Sequence, residues 1–207
     1  MKNSFSILEL ILVLFILSLI TTTFYLKPHE NKLSNAANRI ELYLKQTRYQ
    51  SLIDNKENQR DEKWHRQRWT FKFFNCSGNK GIYYVIYSDE NKMGHPNENE
   101  SLLDPLTKKR VYSTHNCEYD EKRSKYVLLT KEFDVVDTNI SCNSTKGLGQ
   151  ISFGNDGKVY SRLSTHENRS EDYEIKNSCY VELINKTGQK KSIKIEPNTG
   201  FIGINKE

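Results

Sequence analysis

The chain begins MKN and continues, from Ser4 to Ile20, as SFSILELILVLFILSLI. Residues 5–26 form an almost unbroken apolar run interrupted by one acid, Glu9. A helix of that length spans about 30 Å, the thickness of a bilayer's hydrocarbon core. The run is longer than a signal-peptide core, and Ile20-Thr21-Thr22-Thr23 offers no small-residue cleavage site. Lys2 in an acid-free head places the N-terminus in the cytoplasm and the rest of the chain across the membrane. A carboxylate in such a helix is costly and needs a partner. No Lys or Arg follows at helical spacing within the run, so a partner is expected from elsewhere. A free amine at Phe5, made by cleavage after Ser4, would serve.

The remainder is polar. Across 207 residues 28% are charged, and the net charge is +5. This is one domain's worth of chain with an appended segment. The mild basic excess is compatible with an anionic partner. Four cysteines, Cys76, Cys117, Cys142 and Cys179, are widely spaced and form no CxxC pair. In an exported domain they read as two disulfides. Three pairings are open, and sequence order suggests Cys76–Cys117 with Cys142–Cys179.

Pro28 closes the apolar run. Leu33, Ala36, Ala37, Ile40 and Leu44 then recur every three or four residues, which predicts an amphipathic helix continuing over residues 27–55. Residues 54–68 are highly charged and read as a helix end and a solvated loop. Alternating or β-rich runs predict strands at 68–74, 82–87, 111–112, 126–129 and 133–136, with a long loop over 88–110. Further on, Gln150-Ile151-Ser152-Phe153 leads through Asn155-Asp156-Gly157 to Val159-Tyr160, a hairpin signal. Residues 179–184 and 192–195 flank a turn at Asn185-Lys186-Thr187-Gly188, and Thr199-Gly200-Phe201-Ile202 ends the pattern. The expected fold is α+β: a long N-terminal helix, transmembrane then amphipathic, packed on an antiparallel sheet or sandwich, with a β-rich domain over 56–207.

Phe5-Ser6-Ile7-Leu8-Glu9-Leu10-Ile11 resembles the processing signal of type IV pilins and type II secretion pseudopilins. The resemblance implies a leader over residues 1–4, cleavage by a prepilin peptidase between Ser4 and Phe5, and N-methylation of Phe5. Ser4 stands where the family usually has Gly. Glu9 would then pair with the Phe5 amine of a neighbouring subunit during assembly. Ile151-Ser152-Phe153-Gly154, the later strand pair with its Thr-Gly step, and the helix end at Gln46-Thr47-Arg48 resemble the GspH/FimT-like minor pseudopilins. The branch implies a single-pass inner-membrane protein with a periplasmic domain. Its partners would be other pilins or pseudopilins in a filament serving secretion, a pilus or DNA uptake.

No HExxH, GxSxG, P-loop or GxGxxG pattern occurs. Neither an enzymatic activity nor a cofactor or metal is expected. His115 and Cys117 read as a histidine near a disulfide, and Asn155-Asp156-Gly157 lacks the spaced acids of a calcium loop. Lys63-Trp64-His65-Arg66-Gln67-Arg68-Trp69 interleaves cations with aromatics, and Lys108-Lys109-Arg110 adds charge. Such composition suits phosphate contact with stacking, so DNA is the alternative partner. The other alternative is a membrane-anchored domain with no filament role. Asp137-Thr138-Asn139-Ile140-Ser141 resembles an extended bacterial glycosylation acceptor, with Asn139 the candidate.

Overall fold

The computed structural model describes residues 6–25 and 31–205, without the side chains of 22–25. The chain divides into two units, one ending at Asn31 and one starting at Lys32. The first contains helix α1 (Ile7–Tyr25), whose described side chains are exposed and apolar except for Glu9, Ser18 and Thr21. Among the described residues no helix is long and apolar enough to cross a membrane. The expected span of residues 5–26 begins and ends outside them, as does the expected break at Pro28.

The second unit is built on helix α2 (Lys32–Ile53). Leu33, Ala36, Ala37, Ile40, Tyr43, Leu44, Thr47 and Ser51 form its buried face, the spacing of one helical stripe. Two four-stranded antiparallel sheets lie beneath it. The first has the order β2-β1-β4-β5, from β1 (Thr70–Asn75), β2 (Ile82–Tyr87), β4 (Gln150–Phe153) and β5 (Val159–Tyr160). The second has the order β3-β6-β7-β8, from β3 (Val135–Ile140), β6 (Cys179–Asn185), β7 (Lys190–Ile195) and β8 (Ile202–Ile204). α2 packs on β6, β7 and β8 of one sheet and on β1 and β4 of the other. Polar contacts fix the end of the helix: Arg48 Nε donates to the Thr199 carbonyl (2.8 Å) and Ser51 Oγ to that of Gly154 (3.2 Å).

Alternation divides the faces of the first sheet. Phe71 and Phe73 of β1 and Tyr84 of β2 are buried with α2; the Phe71 and Tyr84 rings stack at 4.8 Å, and Tyr84 lies 5.9 Å from Tyr43. Burial of side chains this size contributes about 1.5–3 kcal/mol each. The opposite face has a polar floor, where the Thr70 and Ser152 hydroxyls bond at 2.8 Å and Lys72 lies opposite Gln150.

The antiparallel α+β expectation holds, with differences between residues 111 and 136. Residues 126–129 were expected as a strand and instead form a 3-10 turn (Lys125–Val127) leading into helix α3 (Leu129–Phe133). Leu129 and Phe133, four residues apart, both point into the core, and four residues of apolar sequence are too few to show a period. Asp134 ends α3 in a left-handed conformation, its N–H shared by the Leu129 and Thr130 carbonyls. The expected strand at 133–136 therefore starts late, at Val135. Val111 and Tyr112 are not a named strand, although Val111 accepts from the Ile86 N–H at the edge of β2 (3.2 Å).

Gly81, between β1 and β2, has φ +118°. A Cβ there would lie 2.3 Å from Thr130 Oγ1. That hydroxyl is not free to turn away: it accepts from the Ile82 N–H (2.9 Å) and donates to the Val135 carbonyl (2.6 Å).

The long loop between β2 and α3 is tied to α2 by a buried hydrogen bond, Tyr43 Oη donating to Asp104 Oδ2 (2.5 Å). Burial alone would raise the Asp104 carboxyl. The Tyr43 hydroxyl and the N–H groups of Thr107 and Leu106 outweigh it, and the group titrates below its usual 3.8. Its contribution to stability is therefore present above that value and lost as pH falls through the lower folded value. Tyr43→Phe should destabilise the domain by about 1–3 kcal/mol near neutral pH. The gap from the parent should narrow at about pH 3, as followed by urea unfolding. An equal gap at both pH values would remove Asp104 from the explanation.

Candidate functional site

Two regions merit a chemical reading, the head of α1 and a cleft on the outer face of the first sheet. At the helix head, Ser6 Oγ accepts from the Leu8 N–H (3.3 Å), and Glu9 Oε2 accepts from the Ser6 N–H (3.0 Å). This is a capping box, with Ser6 as N-cap and Glu9 three residues later. Negative charge in the first turn also opposes the helix dipole. The sequence reading looked for a partner outside the chain; the carboxylate has one in its own backbone. The Ser-x-x-Glu spacing of Ser6 and Glu9 was the signal available for this. Ser4 and Phe5, expected to flank the cleavage, lie outside the described residues.

Both disulfides are formed, in the order-of-sequence pairing. Cys76 joins Cys117 (Cα–Cα 5.7 Å), and Cys142 joins Cys179 (5.4 Å). The first staples the end of β1 to the long loop. The second closes the end of the β3–β6 pair and anchors the loop that follows β3. Disulfides of this kind belong to oxidising compartments.

The cations expected to face DNA do not share one surface. Arg68 is only 5% exposed, donates to the Ser170 carbonyl, and stacks on the Tyr160 ring at 3.9 Å and the Trp64 ring at 4.8 Å. Lys63 pairs with Glu167 at 3.0 Å. The Trp69 indole donates to Asp54 Oδ2 (2.9 Å), so neither Trp is a free stacking platform. Lys108, Lys109 and Arg110 line a groove shared with the acids Glu98, Asp120 and Glu121. Arg110 also donates to the Ser101 carbonyl (2.6 Å). Arg66 alone of the expected set turns toward the cleft on the first sheet.

That cleft has a volume of about 350 Å³. Lys72 of β1 and Gln150 of β4 form part of its floor; Arg66 reaches it from a 3-10 turn (Trp64–Gln67), and Lys146 and Arg162 from two loops. Burial lowers the Lys72 ammonium from its usual range; Asp89 partly offsets this and Arg162 adds to it. Asp89 is the cleft's one acid, and its carboxylate accepts from the Met93 (3.1 Å) and Gly94 (2.7 Å) N–H groups. Sequence reasoning missed Lys72, Lys146 and Arg162, each of which is isolated in sequence from other basic runs.

Asn139 lies exposed within β3, with its amide 3.3 Å from Glu182 Oε2 across the strand pair. The His115 carbonyl accepts from the Ser77 N–H (2.7 Å), beside the Cys76–Cys117 bridge. Among the described residues no group of three or more His, Cys, Asp or Glu side chains is placed to hold a metal ion.

Compared with protein-family models, with curated proteins and with solved structures, the chain matches none.

The Cys142–Cys179 bridge, 37 residues apart in sequence, removes freedom from the unfolded chain and holds the loop carrying Lys146. Replacing both cysteines with Ala should lower the unfolding free energy by about 2–4 kcal/mol. Urea denaturation, with Cys76–Cys117 intact, measures this. An unchanged midpoint would show that β3 and β6 hold that end without the bridge.

Proposed function

We propose that the protein is a structural subunit of a filament assembled at the inner membrane, of the minor pseudopilin or pilin kind, serving protein secretion or DNA uptake. The observation that carries this reading is α1. From Ile7 to Ile20 its side chains are exposed and apolar apart from Glu9 at the head of the helix and Ser18, whose hydroxyl donates to the Phe15 carbonyl (2.8 Å) within the helix. A helix apolar all round needs cover from lipid or from other helices. The outer face of α2 adds Leu42, Tyr49 and Ile53, apolar and exposed, as a surface for neighbouring subunits. The two disulfides suit the periplasm. In this reading the chain spans the membrane once, with its N-terminus in the cytoplasm. Prepilin peptidase cuts between Ser4 and Phe5, and Phe5 is methylated.

Glu9 then has two successive partners, the Ser6 N–H within its own chain and the Phe5 amine of a neighbour in the filament. The two roles separate by substitution. Gln can still close a capping box but cannot form an ion pair. Glu9→Gln should therefore insert normally yet fail to enter filaments, and Glu9→Val should fail as well. Shear fractionation with immunoblotting reads assembly, and intact-mass analysis reads a methylated Phe5 terminus. Normal assembly of Glu9→Gln would reduce Glu9 to a cap. An uncut N-terminus would favour a plain membrane anchor.

A further inference from the structure

We propose that the cleft on the outer face of the first sheet is a binding site for a phosphate ester, held by Arg66, Lys72, Lys146 and Arg162. None of these four side chains has an ion pair among the described residues. Cations elsewhere on the domain are commonly matched, as in Lys63–Glu167, Lys158–Glu171 (2.9 Å) and Arg123–Glu98 (2.6 Å). Four cations therefore converge on a space that contains one carboxylate, and that carboxylate is already occupied by two backbone N–H groups.

The shape is consistent with an occupant. A volume of about 350 Å³ falls in the range of small-molecule sites and exceeds what a lone ion needs. The floor is rigid, because Lys72 and Gln150 are opposed in the β1–β4 register. The rim is tied as well. Ser144 Oγ and Ser161 Oγ bond at 2.9 Å, linking the loop of Lys146 to the segment of Arg162. Asn143 braces the same loop by donating to the Gly147 carbonyl (2.9 Å) and accepting from the Thr145 N–H (2.8 Å). Gly94, at φ +82°, lies beside the Arg66 guanidinium.

Charge selects the ligand class. Four cations against one engaged acid leave an excess that a single carboxylate ligand would only partly balance. Arginine forks match phosphate oxygens in pairs. Burial already disfavours the Lys72 ammonium, and an anion in the cleft would relieve that cost. A free mononucleotide and a single-stranded DNA segment both present this chemistry. The proposal is independent of the filament reading, since no residue lining the cleft belongs to α1.

The test uses the full chain in nonionic detergent at low salt. The probes are AMP, inorganic phosphate and a fluorescein-labelled single-stranded oligodeoxynucleotide, read by calorimetry and fluorescence anisotropy. Lys146→Gln and Arg162→Gln should each weaken binding by about tenfold, with the unfolding midpoint unchanged. Lys108→Gln, outside the cleft, should have no effect. AMP that binds and displaces the oligonucleotide assigns a phosphate monoester site. An oligonucleotide that binds where AMP does not assigns a run of phosphodiesters. Binding of no probe, of inorganic phosphate alone, or binding unaltered in both rim variants would overturn the proposal.

Discussion

The globular domain depends on one contact, the seating of α2 across two separate sheets. Ala36 and Ala37, in the second turn of α2, are fully buried and have almost no side chain to hold the backbones apart. Ile40 and Leu44 continue the same stripe. Neither sheet is large, and each has only four strands; without the shared helix each would expose an apolar face. The polar ties at Arg48 and Ser51 position the helix end without supplying much of the energy. The first sheet can therefore commit one face to the helix and carry on its other face a polar patch of Thr70, Lys72, Gln150 and Ser152 beside the Phe74–Tyr83 pair, and the basic cleft includes Lys72 and Gln150 of that patch.

Much of this was legible because it is local. The stripe of α2 and the dense run Ile82-Tyr83-Tyr84-Val85-Ile86-Tyr87 are written in short windows of sequence. So is the turn Asn185-Lys186-Thr187-Gly188, where the Asn185 carboxamide accepts from the Thr187 N–H (3.0 Å) and the Gln189 N–H (2.9 Å). The disulfide pairing followed chain order because each bridge joins cysteines that are neighbours in sequence. What escaped is non-local. α3 is too short to show a period, and only contacts made after folding select helix over strand there. The fate of a cation depends on distant partners: Lys63 is neutralised by Glu167, and Arg68 is withdrawn under Tyr160. A basic run therefore overstates the charge a surface presents, while dispersed Lys72, Lys146 and Arg162 understate it. At the helix head the Ser6–Glu9 box was readable, but the apolar context drew attention to a partner outside the chain.

The electrostatics of the domain follow the same division. On the exposed surface, pairs such as Lys45–Glu41 (2.7 Å) and Lys194–Glu196 (2.6 Å) are worth little individually in water. On the outer face of the first sheet, charges sit over a floor of buried hydroxyls and amides, where solvent screens less. A few unbalanced cations there shape the field more than a larger number of matched ones outside.

The close approach of Gly81 and Thr130 has a consequence for variation over evolutionary time. The backbone at 81 tolerates a side chain only if the hydroxyl at 130 withdraws, and that hydroxyl joins the start of β2 to the start of β3 through two hydrogen bonds. The two positions are far apart in the chain yet form one inherited unit. Among relatives of this protein the glycine should persist wherever that hydroxyl is kept, because both the backbone angle at 81 and the neighbouring hydroxyl exclude a side chain.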